Sequence, residues 1–144
     1  MDSRRRVYIK KDALMGIRNC AASSTGEVGG VLIGSAGRDK CVQICDFIEA
    51  EDTLSSPRGV TFTRKAWKGM RRMARKHRGT NVVGWYHSHP SLGVFLSAAD
   101  LRLHRAFFGK RYQVAMVIDP KSNECAVFGW KGRNVGVCRL SYMV

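Results

Sequence analysis

Two of the chain's four histidines, His87 and His89, stand two residues apart in Gly84-Trp85-Tyr86-His87-Ser88-His89-Pro90, and Ser97 and Asp100 follow closely. Alternate side chains of a β-strand share a face, so both imidazoles can reach one ion. Pro90 lacks the N–H that a ladder needs and should end the strand, leaving the rings at its tip. Ser97-x-x-Asp100 reads in two ways. It is the pattern of a helix capping box, in which each side chain bonds the other residue's backbone N–H. A helix start also holds a carboxylate rigid and ionised. If that helix folds back on the strand end, His87, His89 and Asp100 form a three-ligand set with an open position, as in catalytic rather than structural zinc sites. Such an ion would lower the pKa of water to roughly 7. The stretch contains no general base.

These residues need a strand, a loop and a helix start to bring them together. The hydrophobic pattern predicts strands at Val7–Lys10, Gly26–Gly34, Cys41–Ala50, Asn81–His89 and Gln113–Asp119. It predicts helices at Asp12–Ala22, Arg64–Arg78 and Ala98–Phe108, with Gly79 stopping the second. Glu51–Gly59 reads as a loop containing the turn SSPRG, and Glu124–Trp130 with Val135–Tyr142 as a closing hairpin around KGRN. The expected fold is an α/β domain, a curved sheet with a few helices packed on it.

Length and composition agree with one globular domain covering residues 1–144. No apolar run approaches a signal peptide or a membrane span, so no membrane partner is expected and the expected location is cytoplasmic. Five cysteines without a CxxC pair predict reduced thiols rather than a disulfide framework. The formal net charge of +14 favours acidic partners, and much of it lies on the predicted Arg64–Arg78 helix, whose outer face is basic. Nucleic acid is not the expected partner, because no recognised nucleic-acid-binding module accompanies the charge.

The spacing of His87, His89, Pro90, Ser97 and Asp100 resembles the JAMM (MPN+) metalloisopeptidase motif, and Gly26-Glu27-Val28-Gly29-Gly30-Val31-Leu32-Ile33-Gly34 is similar to the family's separate glutamate-bearing strand. The resemblance extends from Val7 to about Val137 and is that of a minimal, prokaryotic-type, deubiquitinase-like member. It implies a single MPN (JAMM) domain, with a cytidine-deaminase-like curved mixed β-sheet flanked by α-helices. It implies one zinc per chain on His87, His89 and Asp100, with Glu27 as general acid and base and Ser97 stabilising the oxyanion. The implied activity is cleavage of the amide bond after the C-terminal glycine of ubiquitin or a ubiquitin-like protein, conjugated or C-terminally extended. Alternatives within the resemblance are maturation of a ubiquitin-fold sulfur-carrier protein, and a non-catalytic scaffold of the kind that forms MPN-type dimers. The tail of such a substrate could add as a strand beside Glu51–Thr63.

The remaining residues carry plainer expectations. His104, one helical turn after Asp100, is expected at the surface or in packing, with support of a ligand as the alternative. Trp85 shares the histidines' parity and is expected to wall the cleft, while Tyr86 faces the core. His77 is expected near the carbonyls that end its helix.

Overall fold

The computed structural model describes residues 4–24, 26–37, 41–51, 53–56, 59–89 and 93–143. Its frame is an eight-stranded mixed sheet. The strands are β1 (Arg6–Lys10), β2 (Gly29–Ala36), β3 (Val42–Glu49), β6 (Asn81–Ser88), β7 (Val114–Asp119), β8 (Glu124–Lys131), β9 (Asn134–Val137) and β10 (Arg139–Met143), in the order β10-β1-β3-β2-β6-β7-β8-β9. A separate two-stranded ribbon pairs β4 (Thr53–Ser56) with β5 (Gly59–Phe62). The helices are α1 (Lys11–Ser23), α2 (Arg64–Ala74) and α3 (Ala98–Phe107).

Burial divides by face. On one side Ala13, Leu14, Ile17 and Ala21 of α1 cover Ile9, Leu32, Ile44, Tyr86, Met116 and Ile118. On the other, Ala66 and Met70 of α2 and Leu103 of α3 pack with Val31, Ile33, Phe62, Trp85 and Ala115. The alternation that sends Trp85 to one core and Tyr86 to the other is the period of two along β6. Burying strands on both faces also explains the unbroken apolar runs in β2 and β7. Glycine permits close strand contacts: a Cβ at Gly30 would lie 2.0 Å from the Ile48 carbonyl oxygen, and one at Gly84 would lie 2.0 Å from that of Val114.

Three expectations change. Glu51–Gly59 is not simply a loop, because Thr53–Ser56 pairs with Gly59–Phe62; Pro57 and Arg58 of the expected turn lie outside the described residues, as does Pro90. The closing hairpin is shorter than expected. β8 pairs antiparallel with β9, but at Cys138 the chain leaves to pair β10 in parallel with β1. Cys138 N–H donates to the Val127 carbonyl and Arg139 N–H to that of Arg5, so these two residues bridge the sheet's ends and curl it into a half-barrel. Helix α2 stops at Ala74, not Arg78; the turns that follow reach Gly79, whose φ of 76° suits glycine.

Strands β6 and β7 are parallel, and α3 lies between them in sequence. That crossover returns the chain after β6 to begin a helix by the carboxyl ends of the two strands, where open α/β sheets form ligand crevices.

Candidate metal centre

The crossover brings together residues separated in sequence. His87 lies near the end of β6, and His89 follows it with its N–H donating to the Ile118 carbonyl of β7 at 2.8 Å. Asp100 is the third residue of α3. Ser97 caps that helix: its hydroxyl accepts from Asp100 N–H at 3.1 Å, and its own N–H donates to Asp100 Oδ2 at 2.9 Å. The two readings of Ser-x-x-Asp are therefore compatible, since the box that caps α3 also aims Asp100 at the histidines. The loop before the helix is held by Asp119, whose Oδ2 accepts from Gly93 N–H at 3.2 Å. Asp119, at the end of β7, went unnoticed in the sequence because a lone acidic residue ending an apolar strand resembles a turn former.

His87 Nε2 is 2.8 Å from His89 Nε2 and 3.0 Å from Asp100 Oδ2, and His89 Nε2 is 3.3 Å from that oxygen. Two ligands 2.0–2.1 Å from a tetrahedral zinc lie about 3.3 Å apart, so the triangle is close to the required size. All three residues are buried, and the described residues contain no other such group of histidine, cysteine or carboxylate ligands. An ion would satisfy all three facing atoms at once. The donor set fits zinc.

Electrostatics follow from burial and proximity. Burial pushes the His87 pKa down, more than Asp100 raises it, and favours the neutral imidazole that ligates metals. Burial also pushes His89 down, but the hydrogen bond and charge of Asp100, the charge of Glu27 and the Gly93 backbone together raise it. For Asp100 burial acts upward, and the hydrogen bonds and charge of the histidines with Ser97 N–H outweigh it, holding the carboxyl below its usual range. An ion competes with a proton for this site.

Glu27 approaches from the neighbouring strand. Gly29 pairs with His87 in the β2–β6 ladder, and Ser88 N–H donates to the Val28 carbonyl at 2.9 Å, so the register places Glu27 opposite His89. Val28 N–H donates to the buried Ser88 Oγ at 2.8 Å, fastening this approach. Glu27 itself stands just before β2 rather than within the predicted strand, and is half-buried.

The rings behind the triad are also ordered. Trp85 stacks on His87, with centroids 4.7 Å apart and planes 12° apart, and its indole N–H donates to His104 Nδ1 at 3.0 Å. His104 is fully buried, not at the surface, and burial followed by the nearby Arg105 charge lowers its pKa to about 4. Its ring lies 5.2 Å from that of Trp130. Helical spacing placed His104 on the Asp100 face; only the fold could put Trp85 against it. Phe95, exposed, packs at 5.1 Å from the His89 ring. His77 is directed to Asp46 of β3, at 3.7 Å, in addition to its place after α2. The described cysteines are all free thiols.

A curled mixed sheet with helices on both faces, carrying at the ends of parallel strands a His-His-Asp cluster that could hold a metal ion, defines the class as a mixed α/β fold with a candidate metal centre. Residues 2–111 match the family described as JAB1/Mov34/MPN/PAD-1 ubiquitin protease. The chain is 32% identical over 124 residues to the 26S proteasome non-ATPase regulatory subunit 14 of Drosophila melanogaster, covering 83% of this chain and 40% of that protein. It is also 32% identical over 123 residues to the ubiquitin carboxyl-terminal hydrolase RPN11 of Saccharomyces cerevisiae, with the same coverage of 83% and 40%. It thus spans about two fifths of the length of these curated relatives. The solution structure of protein DSY2949 from Desulfitobacterium hafniense shares the fold, with a TM-score of 0.73 and 20% identity over 95% of this chain and 92% of that one. The chain belongs to the JAB1/Mov34/MPN/PAD-1 family.

Proposed function

We propose that residues 1–144 act as one MPN domain, a zinc-dependent isopeptidase that cleaves the amide bond after the C-terminal glycine of ubiquitin or a ubiquitin-like protein. The observation that carries this reading is the convergence of the His87, His89 and Asp100 ligand atoms within 4.8 Å, with Glu27 opposite His89 in register. Membership of a family described as a ubiquitin protease, and relatives with proteasomal and ubiquitin-hydrolase names, support the substrate class.

His87, His89 and Asp100 would hold one zinc ion, which when bound supplies a Lewis acid that activates water and polarises a carbonyl. Glu27 takes the proton from the attacking water and delivers it to the leaving amine. Ser97 uses a lone pair to accept from Asp100 N–H, which leaves its O–H hydrogen to donate to the developing oxyanion. Trp85 keeps the His87 ring from tilting, and Asp119 and the capping box hold the start of α3 in place. The β4–β5 ribbon offers an edge along which an extended tail can add a strand. The basic face of α2 suits an acidic substrate body met in the cytoplasm. No helix among the described residues is long and apolar enough to cross a membrane.

The test is hydrolysis of ubiquitin-like proteins carrying a C-terminal extension or a lysine isopeptide, using zinc-loaded protein, chelated protein and Glu27→Gln. Cleavage by the loaded protein alone is expected. Elemental analysis should give about one zinc per chain, lost in His89→Ala. Undiminished cleavage by Glu27→Gln refutes the assigned base.

A further inference from the structure

A cleft of about 750 Å³ lies at the opposite end of the sheet from the metal centre. It opens between the start of β1, the turn before β7 and the β8–β9 hairpin. Arg111 lines it, before β7 begins, whereas His89 bonds Ile118 near the far end of that strand. The separation is on the order of 15 Å along β7.

Arg4, Arg5, Arg6, Arg111 and Lys131 line this cleft, and its described lining includes no carboxylate. Two of these cations are held by backbone carbonyls from separate segments. Arg5 Nη1 donates to the Arg111 carbonyl, and Arg111 Nη1 to that of Gly132 in the hairpin turn. Each guanidinium has five N–H donors in a rigid fork, so one backbone bond leaves the others for a ligand. Trp130 forms a fixed apolar wall, because its indole N–H is bonded to the Phe108 carbonyl at 2.9 Å. Like charges gathered at the ends of a curled sheet repel one another, and a polyanion relieves that repulsion.

We propose that this cleft binds a small polyphosphorylated ligand, one presenting at least two phosphate groups, independently of the hydrolytic site. Planar guanidinium forks match phosphate oxygens in pairs, and Lys131 adds a point charge beside them. A single phosphate cannot engage Arg5, Arg6, Arg111 and Lys131 together, and the volume is that of a small-molecule pocket. A long polymer would need a basic track across the surface rather than this recess.

Isothermal calorimetry on the full chain tests the assignment, with inorganic phosphate, tripolyphosphate, ATP, hexaglutamate and a short DNA duplex as probes. Tripolyphosphate and ATP should each bind saturably at one site per chain, about tenfold or more tighter than inorganic phosphate and hexaglutamate. Lys131→Gln and Arg6→Gln, both exposed and with no backbone anchor in the cleft, should each weaken tripolyphosphate about fivefold, and Arg5→Gln about tenfold. The paired change Lys65→Gln with Lys68→Gln on α2 should leave it unchanged. Thermal melts separate lost binding from lost folding, and Lys131→Gln carries the test if Arg5→Gln unfolds. Absence of saturable binding overturns the proposal. So does equal weakening by the α2 pair, or hexaglutamate or DNA binding as tightly as tripolyphosphate. Glu27→Gln should bind tripolyphosphate like the unaltered chain.

Discussion

His104 should make the protein lose stability in mild acid, over a window fixed by its surroundings. Its imidazole is fully buried, accepts the Trp85 indole N–H, and has a pKa of about 4 against the ordinary 6.5. Above pH 6.5 the ring is neutral in both folded and unfolded chains, and its contribution is fully present. As the pH falls below that, the unfolded chain gains a proton that the folded chain refuses, and the slope approaches about 1.4 kcal/mol per pH unit. The loss stops near pH 4, where the folded ring also protonates. Integrated over the window, the effect is about 3 kcal/mol, a substantial share of a domain's stability. His104→Gln keeps an acceptor for Trp85 but cannot titrate. Urea unfolding followed by far-ultraviolet circular dichroism, between pH 4 and 8 with chelator in both samples, gives the difference between the two proteins, in which the other titrating groups cancel. The gap should change by about 3 kcal/mol between pH 7 and pH 4, with the unaltered chain losing more. Parallel curves across that range would refute the argument.

Three further outcomes follow from the geometry. Asp100→Asn should retain the bond from Ser97 N–H and the helix, yet lose tight zinc binding, seen as an unchanged dichroism spectrum and an elemental analysis well below one zinc per chain. Gly30→Ala places a Cβ 2.0 Å from a backbone oxygen that no rotamer change can move, so denaturant unfolding should show a loss of about 3 kcal/mol or failure to fold. Thr63→Ala removes the side-chain cap bonded to Ala66 N–H at 3.1 Å and should lower stability by about 1 kcal/mol in the same assay.

The legible part of the molecule was what local spacing controls. Period two put His87 and His89 on one face and separated Trp85 from Tyr86, and Ser97 with Asp100 marked the helix start in either reading. What stayed hidden depended on pairing between distant strands. No periodicity could say that Gly29 would face His87 and so bring Glu27 across from His89; the family resemblance supplied that residue, and the register gives it a physical basis. The parallel pairing of β10 with β1 was missed for a related reason. Its sequence carries the same alternation as a hairpin strand, and only closure of the curled sheet chooses the partner. For His104 the sequence leaves surface and packing both open, because helical spacing alone gives no sign of which polar residue will meet an indole; the fold selects packing.

The placement of Glu27 just outside β2 separates what the chain can lose from what it must keep. The ladder bonds there are made by Val28 and Ser88, and the capping of α3 by Ser97 and Asp100, so neither depends on the Glu27 side chain. A single amide-for-acid replacement at position 27 would remove the proposed proton carrier while leaving the sheet, the helix start and the ligand triangle intact. On the proposed function, a copy of this fold could therefore pass from processing a substrate to merely holding one in a single mutational step that leaves these backbone and capping bonds in place.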